Sequence, residues 1–179
     1  MNLRPVPAGD QELEYDFRGV WWGMSKHDVI SSEGIEPNTE NDSYVTFSDE
    51  FLEMDTVVAF RFVDDVLMEA GYAFREQLHD EDHYVHEYEK IKTWLSETHG
   101  EPMIDENLNP PGADRVDKDQ NTGSVDNLMF ITEWFTERSI IRLILMGDSS
   151  RCEFGLLLKS KEHIEEIEIN DKEIRQDYN

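Results

Sequence analysis

TVVAFRFVDDVLMEAGYAF, residues 56–74, decides the fold, and SIIRLILMGDSSRCEFGLLL, residues 139–158, follows the same plan. In the first stretch Val58, Phe60 and Phe62 share one face, while Val57, Ala59 and Arg61 share the other. That is the period-2 alternation of a strand. β-Branched and aromatic residues dominate both sides of Asp64-Asp65, so Met54–Val63 and Val66–Glu76 read as strands around a tight turn. In the second stretch Ser139–Met146 and Arg151–Lys159 flank a turn over Gly147–Ser150. Gly71 and Gly155 stand in equivalent places before an apolar triplet. A glycine inside a strand predicts a bulge or a close approach of another element. Outward from these, Ser43–Ser48 and Leu128–Thr136 complete the strands.

Between the two blocks lies DEDHYVHEYEKIKTWLSETHG, residues 80–100. Tyr84, Tyr88, Ile91 and Leu95 recur at helical period and form one apolar stripe. Asp80, Glu81 and Asp82 crowd the start, where the helix dipole favours negative charge. Gly100 and Pro102 mark the stop. A shorter helix is expected after Ser25, with Asp28 placed to complete a capping box and Gly34 to end it. The expected fold class is therefore α+β: two helix-plus-three-strand repeats, over 17–78 and 79–159, forming a mainly antiparallel sheet covered by helices on one face. Residues 1–16 read as a loosely held arm, 103–126 as a long exposed loop, and 160–179 as a charged segment with a short helix.

The opening of the first block carries Phe17, Gly19, Trp22, Gly23, Ser25 and Val29 in the pattern F-x-G-x-x-W-G-x-S-x-x-x-V. It resembles small bacterial proteins that bear this signature before a strand-rich region. The resemblance covers about a tenth of the chain and implies turn, N-cap and helix, with no catalytic role to transfer. The helix-then-strands order is also loosely similar to small α+β modules that act as binding partners or inhibitors.

Charge dominates the composition of the 179 residues: 41 acids against 16 Lys and Arg give −25. Such a surface repels phosphate backbones, so no direct nucleic-acid contact is expected. It attracts a basic protein partner over long range. No apolar run reaches the length of a membrane helix, and the N-terminus lacks an apolar signal core. Cys152 is the sole cysteine, which fits a reducing, cytoplasmic setting. Cys152 also alternates with Phe154, Leu156 and Leu158, which makes it a small core residue rather than a nucleophile.

Candidate sites follow from these patterns. Trp134 and Phe135 are adjacent, so one faces out of a regular strand. Trp134 with Glu133 and Glu137, and Asp80, Glu81 and Asp82 at the helix start, are the expected partner contacts. His79, His83 and His86 fall on one helical face at a spacing suited to a divalent metal. Asp117, Asp119, Asn121 and Asp126 offer the alternating oxygens of a calcium loop, but Thr122 stands where an EF-hand needs glycine and Leu128 where it needs glutamate. No phosphate loop, nucleophile elbow or H-E-x-x-H occurs, and no cofactor is expected. The functional expectation is a non-enzymatic adaptor or inhibitor that docks on a basic protein. The alternatives are a calcium or zinc protein and a DNA-mimic inhibitor.

Overall fold

Hairpins organise the molecule. In the computed structural model, which describes residues 15–75, 81–108, 128–147 and 152–168, β3 (Met54–Val63) turns into β4 (Val66–Phe74) through Asp64 and Asp65. Both aspartates have positive φ, 50° and 64°. A two-residue hairpin needs that handedness to match strand twist, and aspartate tolerates it. β2 (Tyr44–Phe51) reaches β3 through Leu52 and Glu53, also at positive φ, 51° and 71°. A leucine there crowds its own backbone, so this turn is strained.

β1 (Thr39–Glu40) extends one edge; β5 (Ile104–Asn107), β6 (Leu128–Phe135), β7 (Ser139–Gly147) and β8 (Cys152–Ser160) form the other half. The strand order is β1-β2-β3-β4-β8-β7-β6-β5, antiparallel at every pairing. The two halves join along one seam, β4 against β8, in register from Glu69↔Lys159 to Ala73↔Gly155. Gly71 makes the seam possible. A Cβ at that position would lie 2.3 Å from the Leu156 carbonyl oxygen, so the glycine serves a close approach. The bulge in β4 falls elsewhere. Register shifts between Arg61 and Phe62, leaving Met68 as the extra residue on β4.

α1 (Lys26–Glu33) starts at Ser25, whose Oγ accepts the Asp28 N–H, and ends at Gly34 in the left-handed conformation. α2 (Glu81–His99) buries Tyr84, Tyr88, Ile91 and Leu95 against the sheet. Tyr88 Oη shares a 2.6 Å hydrogen bond with Thr132 Oγ1 of β6. Before α1, the Asp16 carboxylate accepts the Trp22 N–H at 2.8 Å and both Nε and an Nη of Arg138 at 2.9 Å. Trp22 Nε1 donates to Ser139 Oγ at 2.9 Å. Those bonds tie the signature turn to the start of β7, so the motif's residues serve the fold. Arg18 completes the same turn: it bonds Glu33, Asp49 and the Tyr72 hydroxyl, joining α1, β2 and β4. Burial alone would lower its pKa, but the bonds to Glu33 and Tyr72 win and hold it above the usual arginine range.

The expected fold class is overturned. One eight-stranded antiparallel sheet dominates, and each half contributes four strands where three were expected. The helices do not form a covering layer, since α1 has only 8 residues and α2 has 19. The missed strands, β1 and β5, read TE and IDEN; register against β2 and β6 makes them strands, not intrinsic propensity. β5 also occupies the start of the segment expected to be loop from 103; residues 109–127 lie outside the described ones. The charged C-terminal segment begins with a helical turn over 164–168 that buries Ile167, and 169–179 are outside the described residues.

Candidate functional site

Because side chains alternate along each strand, the register fixes what shares the face opposite α1 and α2. Four rows run across the strands there. The first is Tyr44, Arg61, Glu69, Lys159, Ile140 and Phe135. Next to it lie Thr46, Ala59, Gly71, Leu157, Arg142 and Glu133. A third row holds Ser48, Val57, Ala73, Gly155, Ile144 and Ile131. The last joins Glu50 with Asp55 and, on the far half, Glu153 with Met146 and Met129. Neither α1 nor α2 packs on this face; Val29 and the apolar stripe of α2 join the core on the other one. α2 reaches β6 and β7 from the other side, through Tyr88 and Thr132.

The middle rows carry small residues at the seam: Ala59, Gly71, Ala73 and Gly155. They floor an open trough of about 690 Å³ across β3, β4, β8 and β7. Beyond the floor, Leu157, Ile144, Met146, Ile131 and Met129 are half-buried rather than buried. Their apolar surface stays in partial contact with solvent.

Charges on the first row are closed on themselves. Glu69 accepts from Arg61 on one side and, at 2.8 Å, from Lys159 Nζ on the other. The Arg61 and Glu69 side chains are each only 7% exposed. Arg142 pairs in the same way with Glu133, one row over. Three cations and two carboxylates thus sit along an apolar face with nearly balanced charge. The opposite wall is different. Glu50 stands directly across from Asp55, and both are exposed, as is Glu153. Like charges directly opposite in a sheet are destabilising. Arg75, whose N–H donates to the Asp55 carbonyl, is the cation at that end of β4.

The residues singled out in the sequence are dispersed. Trp134 is 1% exposed, and its Nε1 donates to the Gly100 carbonyl at 3.0 Å, stapling the end of α2 to the sheet. It is therefore no surface contact; its neighbour Phe135, 44% exposed, is the ring that faces out. Glu133 is buried against Arg142, and Glu137 is exposed in the turn that follows β6. Glu81 opens α2, Asp82 is exposed beside it, and Asp80 lies outside the described residues. His83 and His86 are exposed on α2, whereas His79 is outside the described residues. Asp117, Asp119, Asn121 and Asp126 all fall outside them too. Among the described residues no three His, Cys, Asp or Glu side chains converge as a metal site would require. Cys152 sits half-buried at the start of β8, where burial and then Glu153 push its thiol up to about 11.

Sequence reasoning missed the trough. The signal was present in Ala59, Gly71, Ala73 and Gly155, but only the register puts them side by side. Among the described residues no helix is long and apolar enough to cross a membrane. No family model, curated protein or solved structure matches the chain.

Proposed function

We propose that the protein is a non-enzymatic interaction module, an adaptor or inhibitor, that receives a basic protein partner on the sheet face opposite α1 and α2. The observation that carries this reading is the half-buried apolar set Leu157, Ile144, Met146 and Ile131 on the face opposite α1 and α2. Contiguous apolar surface of this kind marks an interaction site when polar groups rim it. The net charge of −25 selects the partner. It steers a cationic protein inward and repels nucleic acid and anionic lipid. Affinity then comes from the apolar centre, while the carboxylate rim governs the approach and its salt dependence.

The test uses the full chain, immobilised, beside a Glu50→Lys/Asp55→Lys variant. A basic protein is expected to be retained at low salt, released at moderate salt, and retained less by the variant. Retention of none at any salt overturns the reading. Displacement of the same protein by duplex DNA reassigns the module as a DNA mimic.

A further inference from the structure

Resting on the docking reading above, we infer that the trough takes a short amphipathic α-helix, laid across the strands, with an apolar stripe facing the floor and Lys or Arg along one flank. The direction of the trough sets the shape of the occupant. Its lining runs from Tyr44 on β2 through Ala59, Gly71 and Gly155 to Ile144 on β7, across the strands. Four interstrand spacings make about 19 Å, the length of a helix of about 13 residues.

Backbone chemistry decides between helix and extended chain. The backbone groups of β3, β4, β8 and β7 are spent on one another in the ladder. An extended peptide pressed onto that face finds no ladder partner, and each buried unpaired N–H or C=O costs free energy. A helix brings its own hydrogen bonds and asks the sheet only for packing. Ala59, Gly71, Ala73 and Gly155 lower the floor where the helix axis must come near. Met146 supplies an adaptable contact at the β7 end of the trough.

The walls set the orientation. Along one, Arg61, Glu69 and Lys159 are already mutually satisfied and offer no net attraction. Along the other, among the described residues, the exposed carboxylates Glu50 and Asp55 stand beside one cation, Arg75. A helix with cations on one flank matches that asymmetry. A second copy of this chain does not, because it brings another −25 to the same rim.

A library of displayed 16-residue peptides selected on the full chain tests the inference. Enriched sequences are expected to repeat apolar residues at i, i+3 or i+4 and i+7, with Lys or Arg to one side. A synthetic representative should gain helical circular dichroism on mixing. It should bind at least tenfold more weakly to Ala73→Trp, which fills the trough from an exposed position. Glu50→Lys/Asp55→Lys, which leaves the floor intact, should weaken it several-fold at low salt. Enrichment of period-2 sequences overturns the helix. Purely basic sequences whose salt-sensitive binding ignores Ala73→Trp overturn the trough while leaving acidic docking intact. Failure to enrich any basic sequence overturns both. A dimer in light scattering that Ala73→Trp abolishes assigns the face to self-association and overturns the inference.

Discussion

Gly71→Ala is expected to force the seam between β4 and β8, and the structure sets the size of the effect. The added Cβ would lie 2.3 Å from the Leu156 carbonyl oxygen, against a floor of 3.0 Å for real Cβ contacts. The shortfall of 0.7 Å must be met by backbone, because the obstacle is itself a main-chain atom. Overpacking of this kind costs about 1–3 kcal/mol. Replacing a strand glycine by alanine returns about 0.5–1 kcal/mol of lost conformational freedom. The ranges leave a net loss of about 0–2.5 kcal/mol. A 0.7 Å clash with main chain takes the upper part, about 1–2.5 kcal/mol or roughly 2–10 °C in Tm for a chain of this size. Gly155→Ala is the control. Its Cβ meets the Tyr72 carbonyl oxygen at 3.1 Å, so a shift of a few tenths of an ångström accommodates it. The two terms then nearly cancel and Tm should move by less than about 2 °C. Thermal and urea melts followed by tryptophan fluorescence read both variants. If Gly71→Ala melts with the parent, or Gly155→Ala falls as far, the close-approach argument is wrong.

Replacing Leu52-Glu53 by Asn-Gly should raise stability by about 1 kcal/mol, since both positions have positive φ; an unchanged urea midpoint would count against strain there. Trp134→Phe removes the bond to the Gly100 carbonyl and should cost about 1 kcal/mol, with faster amide exchange at the C-terminal turn of α2; equal exchange would show that the staple is idle. Cys152, with its thiol at about 11 against an ordinary 9.0, should react with iodoacetamide at pH 8 about 100-fold more slowly than in urea; equal rates would refute the burial effect. Glu50→Lys should stabilise the fold by about 0.2–1 kcal/mol, by replacing a like-charge pair with an opposite one across from Asp55, and a lower urea midpoint would contradict this.

Local pattern carried much of the structure. The Tyr84, Tyr88, Ile91 and Leu95 stripe lies buried in α2, and the runs around Asp64-Asp65 are β3 and β4. Arrangement was harder to read. IDEN has no strand character, and only pairing with β6 recruits it, so counting strands from propensity fell short. Trp134 and Phe135 force one ring outward, yet which one depends on the packing of Trp134 under Gly100, 34 residues away in sequence. The trough was hidden for a related reason. VVAFRF is apolar on both faces, so alternation loses its contrast between inside and outside. Arg61, Glu69 and Lys159 each look like surface charges until the register lines them up.

The seam has a consequence for synthesis on the ribosome. β4 ends at Phe74, but its neighbour β8 is complete only at Ser160, 86 residues later. At about 5–20 residues per second the nascent half waits roughly 4–17 s with one side of an apolar strand unpaired. A naked strand edge recruits other chains. Dense carboxylates repel neighbouring nascent chains through that interval, so a net charge of −25 also works against self-association of the unfinished molecule.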